Sequence, residues 1–152
     1  MSSSLAGLNV LIAEDEVIIA YDLAQNFENA GAAVTVTHTL KDALAAVRLT
    51  KFNAALIDVK LGPDMAGPLC ALLQCMNVPF VIYSGWSDIS GFRYKTCIVQ
   101  KPATFEELAT KLAAICAPKI QKVRKLGTVS LTDRVARMSK KPVRKLLIKN
   151  PS

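Results

Sequence analysis

Leu56-Ile57-Asp58-Val59-Lys60-Leu61 is the stretch that decides the fold, because an apolar run ends there abruptly in a carboxylate. Two alanines precede it, and Gly62, Pro63 and Asp64 follow it. Apolar runs bounded by turn residues are typical of strands buried on both faces of a sheet. Asp58 would then lie where the strand leaves the sheet, and ligands of open α/β sheets bind at the carboxyl ends of the strands. We therefore expect Asp58 to be the central functional residue.

Predicted strands alternate with predicted helices on either side of this stretch. The apolar and β-branched runs predict five strands, at residues 8–13, 33–37, 53–58, 78–83 and 96–99. This alternation is typical of βαβ units, so the chain is predicted to be an α/β protein with a doubly wound, five-stranded parallel sheet and helices on both faces. Only 16 residues separate Ser84 from Lys101, so we expect the fourth helix to be short or irregular.

Helix boundaries are marked by capping residues. Gly31 is expected to follow the end of the first helix, in the position that favours glycine. Thr39, with Asp42 three residues later, predicts the start of the second helix, and Thr104-x-x-Glu107 is a capping box that starts the last one. Pro118 is expected to end the domain.

Composition favours a single globular domain. The chain has 152 residues and 51% hydrophobic residues, enough to bury a real core. No apolar run approaches the roughly 20 residues of a membrane span, and Met1–Ser4 has no basic region, so we expect no signal peptide and a cytoplasmic protein. Four cysteines lack metal-type spacing and are expected to be reduced, buried thiols: Cys70, Cys75, Cys97 and Cys116.

Charge is distributed unevenly along the chain. Residues 1–118 hold 8 Lys and Arg against 11 Asp and Glu, whereas residues 119–152 hold 11 basic residues and a single acid. We therefore predict a domain over 1–118 and a flexible basic C-terminal tail over 119–152. The tail could instead attach to nucleic acid, to an acidic partner or to an anionic membrane surface. Nucleic acid is not favoured, because the tail is too short for a dedicated DNA-binding domain.

Polar side chains follow four of the predicted strands, where the carboxyl ends of parallel strands meet at one edge. They are Glu14, Asp15, Asp58, Ser84 and Lys101. Clustered carboxylates repel one another and favour a divalent cation between them, and Mg²⁺ prefers such oxygen ligands. A lysine and a serine hydroxyl suit phosphoryl oxygens. The pattern indicates phosphoryl transfer assisted by Mg²⁺.

On these motifs, residues 8–117 resemble the receiver domains of two-component response regulators. The motifs are Glu14-Asp15, Asp58, Ser84-Gly85 and Lys101-Pro102, each after the expected strand. The resemblance implies a flavodoxin-like (CheY-like) sheet of order 2-1-3-4-5. It also implies roles for single residues: Asp58 as phosphoacceptor, Glu14, Asp15, Asp58 and the backbone carbonyl of Lys60 as ligands of Mg²⁺, and Ser84 and Lys101 as contacts of the phosphoryl group.

The resemblance further implies a signalling function. A sensor histidine kinase or phosphotransfer protein would phosphorylate Asp58, and the phosphorylated domain would act by contact with a downstream protein or as a phosphate sink. A second copy of the chain, in a homodimer, is a further partner to consider. Such a domain catalyses only its own phosphorylation and dephosphorylation, so we do not expect an enzyme with another substrate. Two alternatives remain open: a transcription-linked regulator whose basic tail binds nucleic acid, and an adaptor of the same fold that is never phosphorylated.

Two departures from the usual receiver pattern bear on the switch. Ile98 occupies the position three residues before the lysine, where many receivers have an aromatic residue. Gly85-Trp86 is similar to the FAT-GUY type of single-domain bacterial receiver, which works with HWE-type histidine kinases. Trp86 is expected to pack or to face a partner. His38, the only histidine, is expected to lie away from the site, with no role.

Overall fold

The computed structural model describes residues 5–85, 93–94 and 96–127. Within them the helices and strands follow in the order β1 (Asn9–Ala13), α1 (Val17–Asn29), β2 (Ala33–Thr37), α2 (Leu40–Leu49), β3 (Ala54–Ile57), β4 (Lys60–Leu61), β5 (Asp64–Met65), α3 (Gly67–Cys75), β6 (Phe80–Ser84), β7 (Cys97–Gln100) and α4 (Phe105–Gly127).

Five of these strands form one parallel sheet of order β2-β1-β3-β6-β7. All four residues of β3 are buried, as expected for a central strand covered on both faces. The order confirms the predicted doubly wound fold, with β6 and β7 as the fourth and fifth strands of the prediction. Each predicted strand overlaps the observed one, and the largest difference is the start of β6, two residues later than expected.

Helices cover both faces of the sheet because alternate strand residues point to opposite sides. On one face, Leu11, Ile57 and Ile82 form a single buried cluster with Val47 of α2 and Leu73 of α3. This cluster is continuous from β1 to β6 and so links the strands that carry the polar residues.

The other face is covered by α1 and α4. Phe27 of α1 is fully buried, and its ring meets the ring of Phe105 edge-on, with centroids 5.1 Å apart. Leu108 and Leu112 of α4 are also buried. The helix that begins after the first strand is therefore packed against the helix that begins after the last one.

Capping residues define the helix ends as predicted. The Thr39 hydroxyl accepts a hydrogen bond from the Asp42 N–H at 3.1 Å, and the Thr104 hydroxyl accepts one from the Glu107 N–H at 3.2 Å. Gly31 has φ +95°, and a Cβ added there would lie 3.2 Å from the Cα of Ala6. Both the backbone conformation and the space therefore favour glycine after α1.

Two local features were not predicted. The loop expected after Asp58 contains a short antiparallel hairpin, β4 with β5, whose turn includes Gly62 at φ +63°. Pro118 does not end the last helix, which continues to Gly127. A proline removes one backbone donor, and the good helix formers on both sides of Pro118 favour continuation despite that loss.

By its internal contacts the chain divides into two compact units, Met1–Ala117 and Pro118–Ser152. Every side chain discussed below belongs to the first unit. Residues 119–127 of the predicted flexible tail belong to α4. The predicted fourth helix, Trp86 and the chain beyond residue 127 lie outside the described residues, so the predictions that concern them stay predictions. Among the helices that the structure describes, none has the length and apolar character needed to cross a membrane.

Candidate functional site

The backbone brings the polar residues to one edge of the sheet. Pairing continues one residue past the strands: the Asp58 N–H donates to the Ala13 carbonyl at 2.9 Å, and the Lys101 N–H donates to the Ser84 carbonyl at 3.0 Å. The ends of β1, β3, β6 and β7 are thus held in register beyond the last apolar residue. The Lys101–Pro102 peptide bond at this edge is cis.

Asp58 lies at the centre of the site with donors on both carboxylate oxygens. Its Oδ1 accepts from the Ser84 hydroxyl at 3.0 Å and from the Lys60 N–H at 3.3 Å. Its Oδ2 accepts from the Lys101 ammonium at 2.8 Å. The residue is only 9% exposed, so these contacts orient the carboxylate and satisfy its oxygens in a buried position.

Lys101 joins two of the acids. Its Nζ lies 2.6 Å from Glu14 Oε2 and 2.8 Å from Asp58 Oδ2, and 5.2 Å from the centre of the Tyr83 ring. Burial alone would lower the pKa of Lys101, but its hydrogen bonds to Asp58 and Glu14 outweigh that effect and raise the pKa. The ammonium therefore stays charged and screens the repulsion between the two carboxylates.

Glu14 is the most buried charged group of the site, at 1% exposed. Burial raises the pKa of its carboxyl group, although the hydrogen bonds from Lys101 and from the Glu16 N–H act in the opposite direction. Its backbone is held by the chain after β2: the Glu14 N–H donates to the Thr37 carbonyl at 3.0 Å, and the Glu14 carbonyl lies 2.8 Å from Nδ1 of His38.

Asp15 completes the acidic group and is more exposed than the other two acids. Its Oδ2 accepts from the Gly62 N–H of the β4–β5 turn at 3.0 Å. One carboxylate oxygen from each of Glu14, Asp15 and Asp58 lies within 4.8 Å of the other two. Such a set of hard oxygen donors fits a divalent cation of the Mg²⁺ or Ca²⁺ type.

The acids open onto a cavity of about 200 Å³. It is large enough for a phosphoryl group and ordered water, and its lining combines anionic, cationic and hydroxyl groups. The residues that line it are Asp15, Glu16, Asp58, Lys60, Ser84, Gly85 and Lys101.

The structure places five of the predicted site residues together: Glu14, Asp15, Asp58, Ser84 and Lys101. Lys60 lines the same cavity through its place in β4. Ile98 does not join them, because it lies within β7, where it pairs with Ile82 and is 40% exposed. Trp86 lies outside the described residues.

His38 belongs to the surroundings of the site, and the expectation that it lies away from the site was wrong. Its ring contacts the Glu14 backbone. A signal for this contact is present in the sequence, because His38 directly follows β2, and β2 is the neighbour of β1 in this fold. The carboxyl end of β2 therefore meets the acidic residues at the same edge of the sheet.

No protein-family model matches this chain, and no curated protein matches it. Solved structures do. The receiver domain of a Francisella response regulator shares 23% identity and a TM-score of 0.66, over 74% of this chain and 99% of its own. A CheY-like receiver protein from Methanospirillum hungatei shares 20% identity and a TM-score of 0.70, over 76% of this chain and 98% of its own.

A third similar structure is a response regulator from Burkholderia pseudomallei with a phosphorylated aspartic acid, a calcium ion and citrate. It shares 23% identity and a TM-score of 0.63, over 80% of this chain and 75% of its own. These likenesses show that the chain has the fold of response regulator receiver domains.

Proposed function

We propose that this protein is the receiver of a two-component phosphorelay and that Asp58 accepts the phosphoryl group. The observation that carries the proposal is the set of groups around Asp58: a lysine ammonium at 2.8 Å, a serine hydroxyl at 3.0 Å, and the carboxylates of Glu14 and Asp15 with oxygens within 4.8 Å. A carboxylate buried merely to end a strand would not require an open polar cavity beside it.

The transfer is a substitution at phosphorus. An oxygen of the Asp58 carboxylate attacks the phosphorus of a phosphohistidine, the P–O bond forms as the P–N bond breaks, and the imidazole nitrogen keeps the electron pair and takes a proton from solvent. Lys101 and Ser84, which donate to the Asp58 carboxylate, would donate to the phosphoryl oxygens as negative charge moves onto Asp58. Attack of water on the acyl phosphate returns inorganic phosphate and the free carboxylate.

Mg²⁺ is the cofactor we propose. Glu14, Asp15, Asp58 and the Lys60 carbonyl would hold it, and a bound Mg²⁺ would supply positive charge to the phosphoryl oxygens. The Burkholderia protein of the same fold contains a phosphorylated aspartic acid and a calcium ion, which supports the choice of a divalent cation.

The phosphoryl donor we propose is a histidine kinase or phosphotransfer protein, and the FAT-GUY pattern makes an HWE-type kinase the first candidate. The first turns of α1, directly after the acids, expose Val17, Ile18 and Tyr21 at 64%, 85% and 66%. Exposed apolar groups beside a polar cavity favour a protein donor that covers them. The cavity between α1 and α4, about 340 Å³, continues this surface.

The direct test is intact-mass spectrometry after incubation with Mg²⁺ and acetyl phosphate. We expect the wild type to gain about 80 Da, the mass of one phosphoryl group, and Asp58→Asn to gain nothing. An adduct that persists in Asp58→Asn would contradict the assignment, and so would a wild type that stays unmodified while a control receiver is labelled. The second outcome would favour the adaptor alternative.

The donor surface has its own test. Ile18→Glu should slow phosphoryl transfer from a phosphorylated HWE-type kinase at least about 10-fold, as expected for the loss of an apolar contact in an interface, and should leave labelling by acetyl phosphate unchanged. Exposed Leu49 of α2 provides the matched control, because Leu49→Glu changes charge equally on another helix. Equal rates for all three proteins would show that the donor docks elsewhere.

A further inference from the structure

His38 is held against the backbone of the acidic residues in one defined way. Its Nδ1 lies 2.8 Å from the carbonyl oxygen of Glu14. A carbonyl oxygen can only accept a hydrogen bond, so Nδ1 must carry the proton. The contact therefore requires the Nδ1–H form of the neutral imidazole, or the imidazolium, in which both nitrogens carry protons.

The carbonyl that His38 contacts belongs to the peptide group that joins Glu14 to Asp15. The N–H on the other side of Glu14 donates to the Thr37 carbonyl at 3.0 Å. The last residue of β2 and the residue after it thus hold Glu14 from both sides of its Cα. Further hydrogen bonds to the two acids act on their carboxylates, from the N–H groups of Glu16 and Gly62 and from Lys101.

We propose that His38 is a positioning residue for the cation site, and this inference rests on the proposed function. The torsions on either side of this peptide, ψ of Glu14 and φ of Asp15, set the directions of the two Cα–Cβ bonds relative to each other, and a hydrogen bond to the peptide carbonyl restrains both torsions. Mg²⁺ demands near-ideal octahedral geometry, so a small rotation weakens its binding. Partners that orient metal ligands are typically worth about 10-fold to 100-fold in affinity, and an exposed imidazole acting on a backbone carbonyl belongs at the low end.

The site offers a conservative variant and a matched control. In His38→Asn the amide N–H₂ is bonded to Cγ, as Nδ1 is in histidine, so it can still donate to the Glu14 carbonyl. His38→Ala removes the donor. Thr39→Ala changes the next residue and removes the cap of α2, but leaves the Glu14 contact intact.

The experiment is calorimetric titration of the four full-length proteins with Mg²⁺ alone. We expect His38→Ala to bind Mg²⁺ about 10-fold more weakly than the wild type, His38→Asn to recover most of that loss, and Thr39→Ala to bind as the wild type does. Equal affinity in wild type and His38→Ala would overturn the inference and leave the proposed function standing. A wild type that binds no Mg²⁺ would overturn both.

A second measurement is independent of metal and activity. Because the chain has a single histidine, its imidazole nitrogens give one pair of ¹⁵N NMR signals at a pH where the ring is neutral. We expect the Nδ1–H tautomer, in contrast to the Nε2–H tautomer that free histidine prefers. Finding Nε2–H would overturn the inference whatever the variants do.

Discussion

Ile57 and Asp58 are consecutive residues of nearly equal burial, at 0% and 9% exposed, and they have opposite effects on the fold. The same change from a buried apolar residue to a buried charged residue occurs at the end of β1, where Ala13 and Glu14 are both 1% exposed. The strand interiors bury apolar groups and stabilise the protein. The strand ends bury charges and need specific partners to do so. The apolar strand interiors therefore provide the stability that offsets the cost of burying charges at the strand ends.

The energetic cost of the site is visible in its charges. Glu14 and Asp58 share one ammonium, and the pKa of Glu14 is raised because burial disfavours its charged form. A part of the molecule optimised for stability alone would not hold two buried carboxylates on one lysine. Substitutions in the apolar core and at the charged strand ends should therefore change stability differently, from large losses in the core to a small gain at the site.

Phe27→Ala should have the largest effect, because it empties a fully buried site and removes the edge-on contact with Phe105. The free energy of unfolding should fall by about 3–5 kcal/mol, measured by urea denaturation at neutral pH. Phe27→Leu, which keeps most of the volume, should lose about 1.5 kcal/mol or less. A loss for Phe27→Ala no greater than that of Phe27→Leu would contradict this view of the core.

Lys101→Met should lower the free energy of unfolding by about 2 kcal/mol and slow phosphorylation about 100-fold. The loss of stability is smaller than that expected for removing one partner of a fully buried ion pair, because Lys101 is partly exposed. The substitution keeps the apolar stem and removes the charge between Glu14 and Asp58. Since the folded pKa of Lys101 is raised, its contribution is complete below the ordinary lysine value of 10.5 and is lost as pH rises through the raised pKa. Equal stability of variant and wild type at pH 7 would refute the charge-sharing account.

Thr39→Ala should lower the free energy of unfolding by about 1 kcal/mol, because the hydroxyl that caps α2 is lost. Asparagine also caps helices, so Thr39→Asn should restore the stability. Thermal denaturation of the wild type and the two variants measures how much stability the cap supplies. Because the cap lies outside the site, we expect neither variant to change the rate of phosphorylation by acetyl phosphate. A changed phosphorylation rate would show that α2 is coupled to the site.

Glu14→Gln should have the smallest effect on stability, and this effect should be stabilising. The melting temperature measured without Mg²⁺ should rise. Removing the buried charge stabilises, while the weaker contact with Lys101 offsets part of the gain. The raised pKa means that the contribution of Glu14 to wild-type stability is highest below the ordinary glutamate value of 4.5 and falls as pH rises through the raised pKa. The variant's advantage should therefore appear as pH increases, and an advantage that shrinks with pH would contradict the burial argument.

Much of the site could be predicted from the sequence because strand ends are easy to recognise. An apolar run followed at once by Asp58, or by Glu14 and Asp15, is typical of a buried strand that ends at a polar edge, and parallel strands bring such residues together there. The capping residues Thr39 and Thr104 have equally local causes, since each cap is set by residues within one turn.

The rest depends on contacts between distant parts of the chain. His38 gained its partner from the pairing of β1 with β2, which a pattern within one segment does not encode. The β4–β5 hairpin is too short to show alternation, and its formation depends on Gly62 and on the bond to Asp15. The continuation of α4 past Pro118 reflects a balance between the loss of one backbone donor and the helix propensity of the neighbouring residues. A rule that considers the proline alone does not predict the outcome of this balance.

Borohydride reduction followed by peptide mapping shows which acid of the site carries the phosphoryl group, and we expect it to be Asp58. Reduction converts an aspartyl phosphate to homoserine and leaves free carboxylates unchanged. After treatment with acetyl phosphate and Mg²⁺, we predict homoserine at position 58 and unmodified residues at positions 14, 15 and 16, the other acids of the site. Reduction product at any of those three positions, with Asp58 intact, would contradict the account.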